Sequence, residues 1–340
     1  MAKNVTLSDI AKKVGVSTVT VSKALSGQNG VSDAVRAQIK SLADEMGYRK
    51  KPRSAKRDRN DEGYNIGVII SDGFLDKYSS FYSTMYKELA AQAVNRGCFA
   101  FMEPVTKEDE QAQNLPRLVT EERADGIVVI GHLSEKYLSS LRKKGGLPVV
   151  YMDFATTDRE ADAVISNGYY GSYFLTNYLF DKGFKKIAFL GTIGSTESIT
   201  DRYLGYIKSE IEHGYSYGDS MVIMDRDPVT GRMDEDKYFE IPDKDNMPEA
   251  FVCNSDLAAA KLIHKLRKEG YRVPDDVSVV GYDNYLYPGL CDIGITTYEV
   301  DIRQMARKVL HMITHKIDNR PYQGGVQIVE GRLIEKESVR

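Results

Sequence analysis

The chain has 340 residues, 42% hydrophobic and 28% charged, a balance that excludes wholesale disorder. Its sequence contains no run close to the roughly 20 apolar residues of a membrane-spanning helix. The net charge is −3, but residues 1–60 hold 13 Lys and Arg against 5 Asp and Glu. This segment therefore has a net charge of +8 and the rest of the chain a net charge of −11. Such an asymmetry indicates a nucleic acid or a membrane surface as the partner of the basic segment.

The N-terminus and the cysteines indicate the compartment. The first residues lack the apolar core of a signal peptide, so we expect a cytoplasmic protein with no membrane partner. Cys98, Cys253 and Cys291 are widely separated and odd in number, which fits neither a disulfide framework nor metal-ligand spacing. The sequence predicts reduced thiols, no metal site and no cofactor.

Residues 1–48 have the signals of three short helices. The first helix is predicted over residues 7–14, the second runs from its cap to about residue 25, and the third follows a further capping residue. The expected caps and ends are Thr6 with Asp9, Gly15, Ser17, Ser32 and Gly47. Two helices joined by a short glycine turn and followed by a third are typical of a helix-turn-helix.

The second helix is the candidate reading element of this segment. Its predicted core consists of Ile10, Val14, Val21 and Leu25, which leaves the opposite face exposed. That face carries Thr18, Val19, Ser22 and Lys23, whose hydroxyl, methyl and ammonium groups can contact bases or phosphates. The basic excess favours DNA binding. The alternative is a plain three-helix bundle with a solvated polar face.

The same residues carry a family resemblance. Val5-Thr6-Leu7-Ser8-Asp9-Ile10-Ala11, followed by Gly15-Val16-Ser17-x-x-Thr20-Val21-Ser22-Lys23-Ala24-Leu25, resembles the N-terminus of lactose-repressor-family transcription regulators. In that family, the two variable residues after the capping serine and the basic residue four further on read bases. The resemblance implies double-stranded operator DNA as a partner, with contacts from Ser17, Thr18, Val19, Thr20, Ser22 and Lys23.

The predicted linker, residues 49–63, departs from the family pattern. It is rich in Lys and Arg and has no large apolar side chain, so it is typical of a solvated segment. Relatives commonly have a hinge helix with a leucine that enters the minor groove, and Arg57 takes that place here. We expect Arg53 and Arg57 to contact DNA electrostatically, along phosphates or in a narrow minor groove.

Residues 64–340 alternate short apolar strands with amphipathic helices. This alternation predicts an α/β core of two doubly wound parallel sheets with helices on both faces, whose ligands bind at the C-terminal ends of the strands. The predicted strands are 66–71, 99–103, 126–130, 149–153, 186–191, 250–254 and 277–282. The predicted helices are 80–96, 111–120, 134–143, 168–182, 200–212 and 256–269.

The order of these elements also resembles the family's effector-binding core, which is similar to periplasmic sugar-binding proteins. The landmarks are Ile66-Gly67-Val68-Ile69, Ala124-Asp125-Gly126-Ile127, Arg202-x-x-Gly205-Tyr206, 273–283 and Ile295-Thr296-Thr297. The resemblance implies a homodimer and two subdomains. One is expected near 64–165 and 294–322, the other near 166–293 and 323–340.

An effector site follows from the same resemblance. The implied cleft residues are Ser71, Phe81, Tyr82, Asp153, Ser198, Arg202, Ser255 and Asp283. Their chemistry suits a polyol, because a carboxylate accepts hydrogen bonds from two hydroxyls and a guanidinium offers a rigid donor fork. The alternative for each is a structural polar group. Arg202 and Asp283 are the strongest candidates.

Two features have plainer interpretations. The acidic segment 225–248 is expected to be a solvated surface loop, although it has the alternative of bordering the cleft. His311 and His315 lie four residues apart on a predicted helix without a third ligand type, so a surface pair is favoured over a metal site.

The sequence therefore predicts a DNA-binding transcriptional regulator, a repressor controlled by a small effector, most plausibly a sugar or a sugar derivative. It has no phosphate-binding loop, nucleophile elbow or His-Glu-x-x-His motif, so no catalytic residues are assigned and no enzyme is expected. The alternatives are a cytoplasmic sugar-binding or sugar-modifying protein of periplasmic-binding-protein-like fold, and a solute-binding protein for transport.

Overall fold

A computed structural model describes residues 6–26, 30–46, 63–75, 80–158, 161–228, 231–286 and 288–340. The predicted contacts of Arg53 and Arg57, like the helix end at Gly47, lie outside these ranges. Across the ranges that are described, no helix combines the length and the apolar character needed to cross a bilayer.

The N-terminal head consists of α1 (Leu7–Val14), α2 (Thr18–Ser26) and α3 (Asp33–Glu45). The Thr6 side chain accepts from the Asp9 amide and the Asp9 carboxylate accepts from the Thr6 amide, which is the predicted capping box. Gly15 ends α1 with φ 76°, a left-handed conformation that suits glycine. Ser32 precedes α3, but its side chain makes no capping hydrogen bond.

The core of the head differs in part from the one that the sequence predicted. Ile10 and Val21 are fully buried, as expected, whereas Val14 and Leu25 are only half-buried. Small side chains complete the core, because Ala11, Ala24 and Ala43 allow the three helices to approach closely around Ile39.

Two six-stranded sheets follow. The first has the order β11-β5-β4-β3-β1-β2 and is parallel throughout. Its strands are β1 (Asn65–Ser71), β2 (Phe99–Val105), β3 (Gly126–Ile130), β4 (Val149–Met152), β5 (Asp162–Ser166) and β11 (Val326–Val329). β1, β3 and β4 are the buried centre of this sheet, which explains their continuous apolar sequences.

The second sheet has the order β12-β10-β9-β8-β6-β7, and only β12 runs antiparallel to its neighbour. Its strands are β6 (Ile187–Leu190), β7 (Met221–Ile223), β8 (Ala250–Cys253), β9 (Ser278–Asp283), β10 (Thr296–Glu299) and β12 (Arg332–Ile334). The predicted two-sheet architecture is confirmed.

Helices cover the faces of both sheets. They are α4 (Phe81–Val94), α5 (Lys107–Ala112), α6 (Arg117–Thr120), α7 (Glu135–Gly145), α8 (Gly168–Asp181), α9 (Glu197–Glu212), α10 (Glu235–Tyr238), α11 (Asp256–Lys268) and α12 (Ile302–Asp318). The single helix predicted over 111–120 is wrong. Gln113 ends α5 in a left-handed conformation, and Pro116 precedes a separate helix because proline cannot continue one.

The strand pairing corrects the expected subdomain boundaries. The first crossing, after Ser166, lies where the sequence placed it. β10 was expected with the first subdomain, but it pairs with β9, so the second crossing follows Glu299. β11 was expected with the second subdomain, but it pairs with β5, so the third crossing follows Val329. Both strands have only four residues, β10 largely buried and β11 largely exposed, and neither sequence shows which sheet the strand joins.

The expected solvated loop over 225–248 is also corrected. Asp225 and Phe239 in this segment are completely buried, and Tyr238, which ends α10, is nearly so. The Tyr238 hydroxyl donates to Asp227 at 2.7 Å. The segment therefore packs against the second sheet and contributes to its core.

Candidate DNA-binding helix and effector cleft

The exposed face of α2 is set by its start and its buried side. Ser17 Oγ accepts from the Thr20 amide at 3.1 Å and lies 2.9 Å from Thr20 Oγ1, so the first turn is capped as expected. With Val21 buried against the other helices, Thr18 and Val19 project outward, and Val19 is 40% exposed. An exposed apolar side chain between hydroxyls suits contact with thymine methyl groups.

The other end of α2 is held by a residue that the sequence analysis missed. Arg36, in the first turns of α3, donates through Nη1 to the carbonyl oxygens of Lys23 and Ala24, at 3.4 and 3.3 Å. A cation near the last turn of a helix is favourable, because the carbonyl groups there form the negative end of the helix dipole. Arg36 thereby fixes the direction of α2, on which Ser22 and Lys23 are half-buried.

The two strongest candidates of the predicted effector site, Arg202 and Asp283, contact each other. Arg202, on α9, is buried and donates through Nη2 to Asp283 Oδ1 at 3.2 Å. Its guanidinium carbon lies 3.8 Å from the centre of the Tyr282 ring, a cation–π contact. Nη1 donates to the carbonyl oxygen of Asn254, which follows β8. The guanidinium is therefore held from three sides at the C-terminal edge of the second sheet.

A second carboxylate faces this pair from the first sheet. Asp153 directly follows β4, so it lies at the C-terminal edge of the first sheet, and its charge is coupled to those of Arg202 and Asp283. Burial raises the pKa of Asp153 to about 7, helped by the negative charge of Asp283 and opposed by Arg202. Burial likewise raises the pKa of Asp283 to about 6, opposed by Arg202 and Arg226.

Aromatic side chains at the start of α4 lie between the two subdomains. The Phe81 ring lies 6.1 Å from that of Tyr285, which belongs to the second subdomain. The Tyr82 ring packs 4.5 Å from Phe74, and burial together with Asp153 and Asp283 raises the pKa of its hydroxyl. Tyr82 is therefore a neutral hydrogen-bonding group beside the charged residues.

The contacts of the three predicted serines give less support for a role in effector binding. Ser71 lies half-buried at the end of β1. Ser198 Oγ lies 3.1 Å from Thr196 Oγ1 at the start of α9. Ser255 Oγ accepts from the Ala258 amide at 3.2 Å and so caps α11, a structural role.

A buried polar network that the sequence did not predict lies beside Arg202 and Asn254. Asp225 is completely buried and accepts from Arg226, from the Asn254 side chain at 2.8 Å and from the Thr192 amide at 2.9 Å. Burial alone would raise the pKa of Asp225, but the hydrogen bonds and charge of Arg226 hold it below its ordinary value. Adjacent Asp and Arg in an acidic segment gave no periodic signal that could have predicted this pair.

No cluster of three or more His, Cys, Asp or Glu suitable for a metal ion occurs in the described part of the chain. His311 and His315 have ring centres 4.0 Å apart, and His315 Nδ1 lies 2.9 Å from the carbonyl oxygen of Pro321. The arrangement is that of a helix-surface pair.

Sequence comparisons match both parts of the chain. A model of bacterial regulatory proteins of the lacI family matches residues 6–51, and a model of a periplasmic binding protein-like domain matches residues 176–339. The chain belongs to the lactose-repressor family. It is accordingly a DNA-binding transcriptional regulator with a ligand-binding domain, and the predicted family and fold are confirmed.

Full-length relatives share this organisation. The HTH-type transcriptional repressor PurR of Aliivibrio fischeri is 25% identical over 339 residues, which cover 98% of each chain. Such repressors are not enzymes.

Solved structures share the fold. A cellobiose complex of the transcriptional regulator CelR has a TM-score of 0.68 at 21% identity, covering 98% of this chain and 100% of that one. The lac repressor dimer bound to operator and the anti-inducer ONPF has a TM-score of 0.67 at 19% identity, covering 99% of each.

Proposed function

We propose that this lactose-repressor-family protein is a homodimeric repressor whose α2 helices enter successive major grooves of a near-palindromic operator. The observation that carries this proposal is the exposed face of α2, where Thr18 and Val19 project from a helix fixed by Ser17 at one end and Arg36 at the other. Ser17, Thr20, Ser22 and Lys23 complete the proposed contacts. Arg53 and Arg57 of the linker stay predictions.

We further propose that a sugar or sugar derivative binds between the two sheets. Arg202 and Asp283 approach the site from one side and Asp153 and Tyr82 from the other, so one ligand can touch both. Carboxylates accept from hydroxyl groups, the guanidinium donates, and the α4 rings can pack against the C–H face of a sugar. CelR, of the same fold, binds cellobiose.

The proposed control is a population shift. A ligand that bridges the two walls stabilises the closed cleft over the open one, and the chain crosses between the sheets three times. A coupling of about 1–3 kcal/mol between cleft and heads is sufficient to change operator affinity by roughly 5- to 150-fold.

The head is tested by a pair of lysine variants on a DNA sequence selected from a random pool with the full-length protein. Lys23→Ala should weaken binding about ten-fold or more, because it removes a charge at the operator surface. Lys13→Ala is the matched control, since Lys13 lines a shallow groove with Gln38 and Glu45 on the α1–α3 side. Fluorescence anisotropy at fixed salt measures both.

Arg202→Ala tests whether the effector site is separate from the operator-binding face. It should leave operator affinity without effector within about three-fold of wild type while abolishing the response to a bound sugar.

Equal losses of operator binding in Lys23→Ala and Lys13→Ala would contradict the assigned face of α2.

A further inference from the structure

Two guanidinium groups converge at the end of β8. Arg202 donates through Nη1 to the main-chain oxygen of Asn254, and Arg226 donates through Nη2 to the side-chain oxygen of the same residue at 3.1 Å. Arg202 comes from α9, whereas Arg226 comes from the segment after β7. Asn254 is buried, so both cations are brought together at one point of the protein interior.

Arg226 is held in a fixed orientation. Its Nε lies 3.0 and 2.9 Å from the two oxygens of Asp225, and its Nη2 lies 2.6 Å from one of them. Asp225 is itself fixed by Thr192 and Asn254. The remaining nitrogen, Nη1, takes part in none of these bonds. A guanidinium pinned along one edge presents its other edge without further loss of side-chain freedom.

The guanidinium of Arg226 acts on the cleft. Its side chain is only 16% exposed, and its positive charge lowers the pKa of Asp283 and of the Tyr82 hydroxyl, which stand on opposite walls. Arg226 therefore lies beside Arg202 at the end of β8, next to the residues of the proposed effector site, because both guanidinium groups bond to Asn254.

The donor groups of the site, rather than its net charge, favour an oxyanion over a neutral sugar. Arg226 with Asp225 and Arg202 with Asp283 are two neutral pairs, and Asp153 is the remaining carboxyl group. The hydroxyl groups of a neutral sugar require only the carboxylates and one donor group. A second rigid guanidinium edge beside that of Arg202 suits the several acceptor oxygens of a carboxylate or a phosphate.

We propose that the effector carries an oxyanion, a carboxylate or a phosphate group, which Arg226 binds together with Arg202. This rests on the proposed cleft function. Arg226 then determines specificity between acidic and neutral sugars. The competing explanation is structural: Arg226 only neutralises the buried carboxylate of Asp225.

The test uses full-length protein and inorganic phosphate as the probe, with chloride at matched ionic strength as the blank. Phosphate should raise the melting temperature of wild type by binding the folded state. The double variant Asp225→Asn/Arg226→Gln removes the pair together, so no buried charge is left unpaired, and it should lose the phosphate shift. Arg226→Lys keeps the charge without the fork and should retain part of it. Arg232→Gln, an exposed arginine of the same segment, should behave as wild type.

Sugar probes distinguish the two sources of the oxyanion. Titration calorimetry compares glucose with glucuronate and with glucose 6-phosphate, and the acidic probe that fits should bind about ten-fold tighter than glucose, as expected for one hydrogen bond to a charged group. Asp225→Asn/Arg226→Gln should abolish that preference.

No phosphate shift in wild type, or an equal shift in every variant, would overturn the oxyanion proposal. So would tighter binding of glucose than of both acidic probes. None of these results touches the operator-binding test with Lys23→Ala, which fails or succeeds separately.

Discussion

Two aspartates, Asp153 and Asp283, share an unusual backbone conformation. Their φ angles are 72° and 105°, in the region that side chains other than glycine rarely adopt. Such conformations cost about 1–3 kcal/mol and persist where the surrounding structure imposes them, commonly at ligand sites. Each residue directly follows or ends a buried strand, so rigid sheets position both carboxylates toward the cleft.

The raised pKa of Asp153 predicts how stability depends on pH. Because its folded pKa of about 7 exceeds the unfolded value of about 3.9, the folded state holds the proton more tightly. Stability from this group is complete below pH 4 and is lost as the pH rises toward and through 7. Asp153→Asn should therefore gain stability relative to wild type between pH 4 and pH 8, as measured by melting temperature.

Asp276→Asn is the control with the opposite sign. Hydrogen bonds from Arg272 lower the pKa of Asp276 to about 2, so its stabilisation is present above about pH 5 and is lost progressively in stronger acid. Between about pH 5 and pH 8, its difference from wild type should stay constant. A constant difference for Asp153→Asn as well would show that Asp153 is not desolvated in the folded protein.

At the scale of elements, the sequence was most informative where local signals define the structure. The bounds of α1 follow from Thr6, Asp9 and Gly15, which act on their own helix, and the family model agrees with the segment they open. The central strand β3 was likewise predicted at its observed bounds, because a fully buried parallel strand has a continuous apolar sequence.

Elements and contacts that depend on distant partners could not be predicted. The sheets to which β10 and β11 belong are determined only by the strands with which they pair. The Asp225–Arg226 pair is held by Asn254, which lies 28 residues away from Arg226. Ser255 shows the converse, since the family pattern placed it in the cleft while its hydroxyl caps α11. Residue types alone do not distinguish a cap from a ligand contact.

The capping box of α1 is tested against the uncapped start of α3. Thr6→Ala removes a side-chain acceptor of the Asp9 amide and should destabilise α1 by about 1 kcal/mol. Ser32→Ala removes a side chain that makes no capping bond, so its effect should be smaller. Amide hydrogen exchange in the full-length protein should be roughly five-fold faster within α1 for Thr6→Ala. Equal acceleration of α3 by Ser32→Ala would contradict the assigned difference.

At the scale of the whole molecule, the crossings and the effector site share residues. The Asn167 amide donates to the Val329 oxygen at 3.0 Å, and its side chain donates to Glu330 at 2.7 Å, so the first and third crossings are tied together. The Tyr282 hydroxyl donates to the Asn167 oxygen at 3.1 Å. Tyr282 directly precedes Asp283, and its ring packs against the Arg202 guanidinium. A ligand that binds Arg202 and Asp283 is therefore connected to the crossings through the single hydrogen bond between Tyr282 and Asn167.

Tyr282→Phe separates these two roles, because it keeps the ring under Arg202 and removes the hydroxyl bond to Asn167. Loss of about 1 kcal/mol at the crossings should speed hydrogen exchange of the segments around Asn167 and Glu330 by roughly five-fold. Tyr206→Phe is the matched control, since its buried hydroxyl donates to Ile187 within the second subdomain alone. If Tyr206→Phe accelerated exchange at the crossings as much as Tyr282→Phe, the effect would be general loosening of the second sheet. Selective acceleration in Tyr282→Phe would instead show that the Tyr282 hydroxyl stabilises the crossings and so links them to the residues around Arg202.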